Sequence, residues 1–277
     1  MQVIRRAADI RSALEQKGGK RVLVPTMGAL HEGHLALVEA ARREAGSGGC
    51  VAVSIYVNPI QFDRSSDLEA YPRTEATDLA ACEKAGVDVV FIPDEGEMYA
   101  ADRSITVTES QLSSSLCGAT RPGHFDGVCT VVLKLFMLTS CDAAVFGEKD
   151  FQQLAIIRRM VRDLNLPVEI VAYPTLREKD GLAMSSRNAR LDEIQRADAP
   201  RIHRALTEAK GLNHATDILE HARKVISTSG LARIDYLELV DAQSLQPIED
   251  LSRPAILAAA VFYGEVRLID HVHLEAR

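Results

Sequence analysis

The chain has 277 residues, 47% hydrophobic and 26% charged, with 32 Lys and Arg against 39 Asp and Glu for a net charge of −7. This composition excludes a disordered polymer and supplies enough apolar surface for one or two packed domains. The acidic balance argues against a nucleic-acid binder, which needs a basic face.

The opening stretch, MQVIRRAADIRSALEQ, lacks the apolar core of a signal peptide. Short β-branched runs then alternate with longer amphipathic ones. Residues 21–25 (RVLVP), 51–57 (VAVSIYV), 87–93 (VDVVFIP), 143–146 (AAVF) and 168–172 (VEIVA) read as strands. Their near-continuous apolar character suits strands buried on both faces of a parallel sheet. Helical patterns fall between them at 34–45, 67–85, 127–139 and 150–164. The alternation predicts an α/β fold, a Rossmann-like doubly wound parallel sheet, over residues 1–174. After Pro174 the texture changes. Two helical patterns, 192–210 and 216–228, precede strands at 234–240, 255–262 and 266–270, with Tyr263-Gly264 as a hairpin turn. Residues 175–277 therefore read as a smaller C-terminal α+β domain, expected to act as a lid. The apolar run 131–138 contains Lys134 and falls far short of the about 20 residues of a membrane span. Cys50, Cys82, Cys117, Cys129 and Cys141 are odd in number and form no CxxC pair. They read as reduced thiols of a cytoplasmic protein.

Ligands of doubly wound sheets bind at the carboxyl ends of the strands, so the loops there carry the chemistry. In VLVPTMGALHEGHLAL, a strand, a loop and a helix start bring His31 and His34 to one helix N-terminus. Unpaired N–H groups and the positive dipole end make this a phosphate site, to which two imidazoles add donors. In SIYVNPIQF, Asn58 and Gln61 offer amides suited to a hydroxyl and a carboxylate. RPGHFDGV, residues 121–128, reads as part of a mobile glycine-punctuated loop. In VFGEKDFQQ, Lys149 can neutralise phosphate, and Asp150 suits a helix cap, a ribose contact or a metal. In LAMSSRNAR, Ser185 and Ser186 supply donors and Arg187 a phosphate fork.

PTMGALHEGH, SIYVNPIQF, DLEAYPRT, RPGHFDGV, FGEKDFQQL and DGLAMSSRN occur in the order and spacing of the pantoate–β-alanine ligase family, which the chain resembles over nearly its whole length. That family is similar to nucleotidylyltransferases with HIGH-type and KMSKS-type motifs. The resemblance implies ATP-dependent condensation of pantoate with β-alanine through a pantoyl adenylate, releasing AMP and pyrophosphate, with Mg2+ at the phosphates. It assigns ATP binding to Met27, Gly28, Ala29, Leu30, His31, Glu32, Gly33 and His34. Gly147, Glu148, Lys149, Asp150, Leu176, Met184, Ser185, Ser186 and Arg187 are assigned to the same nucleotide. His34, His31, Lys149, Ser185 and Arg187 are implied as catalytic, with His34 as the family's proton donor. Gln61, Gln153 and Asn58 would hold substrate, with Tyr71 and His124 nearby, and Asp78 would hold magnesium. Thr77 stands where some members carry a further acid. A homodimer with no nucleic-acid or membrane partner is also implied. The competing readings are a nucleotidyltransferase that stops at the adenylate and a non-catalytic synthetase-like scaffold.

Overall fold

The structure, a computed structural model, describes residues Met1–Arg277. They form two compact units, Met1–Glu109 with Arg121–Pro174, and Ser110–Thr120 with Thr175–Arg277.

The first unit holds six strands: β1 (Gln2–Ile4), β2 (Arg21–Thr26), β3 (Cys50–Ile55), β4 (Val89–Phe91), β5 (Ala143–Gly147) and β6 (Glu169–Tyr173). Their order is β1-β4-β3-β2-β5-β6, and every pairing is parallel. Val22, Leu23 and Val24 of β2 and Ala143, Ala144 and Val145 of β5 are fully buried, which explains why these strands carry almost no polar residues. The chain winds from β2 through β3 to β4 on one side and through β5 to β6 on the other. The reversal puts a crevice outside the carboxyl ends of β2 and β5, where doubly wound sheets bind ligands.

Several boundaries differ from the sequence expectation. β1 and the helix Ala7–Glu15 lie outside the expected elements: β1 is three residues long with two exposed, while the helix buries Ile10, Ala13 and Leu14 at helical spacing. The expected 67–85 helix is two helices, Ser65–Glu69 and Glu75–Lys84. Pro72 separates them by biasing Tyr71 away from helical geometry. The 192–210 pattern likewise divides into Glu193–Asp198 and Arg201–Ala209 around Pro200. Residues 121–128 are not a loop throughout, since the helix His124–Thr139 takes in all but the first three of them.

The second unit contains β7 (Ala232–Asp241), β8 (Ala255–Tyr263) and β9 (Val266–Leu274) in one antiparallel sheet of that order. All of β8 is buried. The helices Arg201–Ala209 and Ala215–Ser227 place Ile202, Leu206, Ile218 and Ile226 in the same core as Leu257 and Val261. Tyr263 pairs with Val266, so the hairpin turn is Gly264-Glu265, one residue beyond the expected pair. Gly264 supplies the left-handed φ of +57° there. Residues 110–120 fall within the expected first domain but pack in the second unit. Ser115 Oγ donates to Leu245 O at 2.8 Å, Cys117 Sγ lies 3.3 Å from Tyr236 Oη, and Arg267 reaches Thr120 Oγ1 at 3.2 Å. No helix is long and apolar enough to cross a membrane.

Candidate active site

The loop after β2 is built around a buried carboxylate. Gly28 and Ala29 both adopt left-handed backbone, with φ of +78° and +50°. Their turn is fixed from two sides. Thr26 Oγ1 donates to Ser54 O at 2.7 Å and accepts from Gly28 N at 3.2 Å. Asp78, only 2% exposed, accepts from Ala29 N at 2.9 Å, Leu30 N at 2.8 Å and Thr74 Oγ1 at 3.2 Å. Charge-assisted bonds of this kind offset the cost of the strained φ values. A Cβ on Gly28 would sit 3.0 Å from Asp78 Oδ2 and from Ile55 Cγ2, so glycine is also a packing requirement. Both Asp78 oxygens are engaged by the loop, so the carboxylate anchors the turn, a role that the sequence did not show.

His31 caps the helix Glu32–Ala45, which begins two residues before the expected start. His31 Nδ1 accepts from Gly33 N at 3.1 Å, and His34 Nδ1 accepts from His31 N at 3.3 Å. The two imidazoles thus form a reciprocal capping box. Their ring centroids are 4.1 Å apart. A ring whose Nδ1 accepts from a backbone N–H carries its neutral-state proton on Nε2. Both residues are therefore held as Nε2–H donors at the positive end of a helix. Loss of ring hydration, then the neighbouring His31 and the Lys149 ammonium, push the His34 pKa down to about 3.

The loop after β5 carries Lys149 and Asp150, whose charges act on the His34 ring in opposite senses. β5 ends at Gly147, and Glu148–Asp150 form a 3-10 turn ahead of the helix Phe151–Asp163. Lys149 Nζ donates to Asp150 Oδ2 at 3.1 Å. Of the three roles open for Asp150, side-chain capping is not adopted. Gln153 lies in the first turn of that helix, partly exposed.

A buried amide network follows β3. Tyr99 Oη donates to Asn58 Oδ1 at 2.8 Å, and Asn58 Nδ2 donates to Gln61 Oε1 at 2.9 Å and Gly127 O at 3.1 Å. Gln61 Nε2 in turn meets Met27 Sδ at 3.0 Å, so the Gln61 amide joins the network to the β2 loop. A thioether is a weak acceptor, which leaves that N–H available to a stronger one. Gly127 is glycine because a Cβ would lie 2.4 Å from Ile60 O. Tyr71 is buried with its ring edge-on to Phe62 at 5.8 Å. His124 Nδ1 donates to Gln61 O at 2.8 Å, and its Nε2 accepts from Arg121 Nη1 at 3.1 Å. Arg121 Nε also donates to Asp63 Oδ1 at 2.8 Å. Sequence reasoning passed over Tyr99, Arg121 as a side chain, and Asp63. Asp63 directly follows NPIQF and Arg121 opens RPGHFDGV, whereas Tyr99 lies apart from both motifs and carried no signal.

Burial and then the Arg121 charge push the His124 pKa down to about 3 as well. In the unfolded chain both histidines protonate near 6.5. Between these values the unfolded state binds more protons, so stability is full above pH 6.5 and falls as pH drops toward 3. Urea midpoints should therefore decline on acidification from pH 7 to 5. Replacing His124 by Gln should flatten that decline. A midpoint level across the window in the unaltered protein would refute the neutral assignment.

In the second unit, Ser185 Oγ accepts from Arg187 N at 3.2 Å and caps the 3-10 turn Ser186–Arg190. Met184 N donates to Leu176 O at 3.0 Å, placing those two residues side by side.

A parallel sheet whose switch point carries an HxGH helix terminus and a lysine loop defines a Rossmann-like nucleotide-binding enzyme. The family model described as pantoate-beta-alanine ligase matches residues 2–273. A pantothenate synthetase of Akkermansia muciniphila is 53% identical, with 99% of this chain and 100% of that one aligned. The crystal structure of pantothenate synthetase from Thermus thermophilus has a TM-score of 0.93 at 43% identity, covering 98% of this chain and 99% of that one. A pantoate-beta-alanine ligase from Francisella tularensis, complexed with beta-gamma ATP and β-alanine, has a TM-score of 0.83 at 31% identity over 98% of this chain and 97% of that one. The chain belongs to the pantoate–β-alanine ligase family, and its enzymatic activity is the ligation that forms pantothenate.

Proposed function

We propose that the chain makes pantothenate in two steps. A pantoate carboxylate oxygen attacks the α-phosphorus of ATP, forming pantoyl adenylate and expelling pyrophosphate. The neutral amine of β-alanine then attacks the acyl carbon, AMP leaves with the C–O electron pair, and the amine proton passes to solvent. A carboxylate is a poor electrophile, and adenylation supplies the leaving group. The enzyme's part is positioning and charge stabilisation of an in-line displacement.

The observation that carries this reading is the pair of Nε2–H imidazoles on one helix N-terminus, with the Lys149 charge close enough to be sensed by His34. Residues 27–34 and 147–150 are assigned to ATP by the family resemblance, which that pairing supports at His31, His34 and Lys149. His34 and His31 donate to phosphate oxygens, and Lys149 offsets the charge that builds during displacement. Gln61 presents its amide to pantoate, with Asn58 behind it, and Gln153 contacts the same substrate. Leu176 and Met184–Ser185–Ser186–Arg187 are assigned to the nucleotide by resemblance alone, with the second unit as a lid that shields the adenylate from water. Magnesium is assigned to ATP itself, held by phosphate oxygens and water, because the Asp78 oxygens are engaged by the β2 loop. A cytoplasmic homodimer is the assembly the family resemblance favours.

Product analysis tests the proposal. Purified protein with ATP, magnesium and pantoate should hold pantoyl adenylate and release pyrophosphate. AMP and pantothenate should appear only when β-alanine is added. Absence of both pyrophosphate and adenylate until β-alanine is added would overturn the stepwise course.

A further inference from the structure

Residues 176–184 fold into a tight reversal that leads directly into the Ser185–Arg187 segment. Arg177 and Ala183 form an antiparallel bridge, and Glu178 N donates to Leu182 O at 2.8 Å. Gly181 turns the chain with a φ of +94°, and a Cβ there would meet His203 Cδ2 at 3.2 Å. The inner side of this reversal is tied to β9. Arg177 Nη1 and Nη2 grip the two oxygens of Asp270 at 2.7 and 2.8 Å, and Nη1 also donates to Gly181 O at 3.1 Å. Asp270 is 5% exposed, and its Oδ1 accepts from His271 N at 2.8 Å. His203 Nδ1 lies 3.5 Å from Asp270 Oδ2. Although burial opposes it, the Arg177 pairing holds the Asp270 carboxyl at about 2.

A buried ion pair is a weak source of net stability, because desolvation offsets most of the attraction. What a two-pronged Arg–carboxylate contact supplies is fixed geometry. Here that geometry is imposed one strand-length before Ser185, whose own hydroxyl caps the turn carrying Arg187. A second contact from outside the segment, Arg196 to Asp180 at 2.7 Å, holds the tip of the same reversal.

We propose that Arg177 and Asp270 are positioning residues for the reaction, setting the Ser185–Arg187 segment in the geometry that receives the ATP phosphates. The inference rests on the assignment of that segment to ATP. It also gives Asp270, in the middle of β9, a role in substrate affinity.

Three variants of the full chain test it: Arg177→Lys, Asp270→Asn and Arg187→Ala. Arg177→Lys keeps the charge beside Asp270 but removes the fork. It should lower kcat/KM for ATP about tenfold through a raised ATP KM, with the pantoate and β-alanine KM values within about twofold. Asp270→Asn should do the same, and backbone amides 182–187 should exchange faster in both. Arg187→Ala reports on the underlying assignment. If it leaves the ATP KM unchanged, the reading of the segment as an ATP contact fails. If Arg187→Ala raises the ATP KM while Arg177→Lys and Asp270→Asn do not, only the positioning inference fails. Equal rises in all three KM values, or loss of folding in both pair variants, would also overturn it, since the pair would then serve the fold and not the segment.

Discussion

Replacing His34 by Ala is expected to slow adenylation about 10²–10³-fold, whereas His34→Gln should retain a rate within about tenfold of the unaltered enzyme. The asymmetry follows from which nitrogen acts. His34 Nδ1 accepts the His31 N–H inside the helix cap, so the ring presents Nε2–H outward. The glutamine amide nitrogen takes nearly the place of Nε2 and donates as well, although it cannot pass on a proton. Protonating the imidazole would set an Nδ1–H against the backbone N–H and break the cap. The depressed His34 pKa, about 3, has the same sense. The role proposed for His34 at the phosphates is therefore that of a neutral hydrogen-bond donor, in place of the proton donor implied by resemblance. Single-turnover formation of pantoyl adenylate measures the rates. Ring nitrogen-15 spectra should show the Nε2–H tautomer between about pH 5 and pH 8. Glutamine as inactive as alanine, together with an alkaline limb in the wild-type rate assigned to His34, would restore proton transfer.

Asp78→Ala should reduce stability by about 2 to 3 kcal/mol and raise the ATP KM at least about tenfold. The change leaves the Ala29 and Leu30 N–H groups without the acceptor they share, beneath a turn whose φ values are already left-handed. Without the carboxylate the strain has no offset, and the turn that delivers His31 to the helix start relaxes. Asp78→Asn keeps one acceptor oxygen but turns an amide N–H toward a backbone donor, so it should fall between the two. Urea denaturation and ATP kinetics at several magnesium concentrations separate this role from metal binding. A loop anchor alters stability and ATP affinity with an unchanged magnesium requirement. If Asp78→Asn left stability intact and raised the magnesium requirement, Asp78 would be a ligand and the anchoring role would be wrong.

The sequence by itself determined the parallel sheet, because strands such as RVLVP and VAVSIYV are apolar on both faces and only a doubly covered sheet accommodates that. It also exposed the HxGH, NPIQF, GEKD and MSSR segments, since each stands at a strand end or a loop with an unusual density of donors. Local chemistry was enough for these, as a helix start or a proline break depends on neighbours within a few residues. Tertiary structure alone decided the roles that depend on distant partners. Asp78 reads as one acid in a polar helix, and only folding brings it under Ala29 and Leu30, some 48 residues away. The same holds for residues 110–120, which join the second unit through Leu245, Tyr236 and Arg267, and for Arg177, whose partner lies 93 residues on. Burial gives these pairings their strength by removing water as a competing partner, and burial is a property of the packed chain that no local stretch of sequence contains.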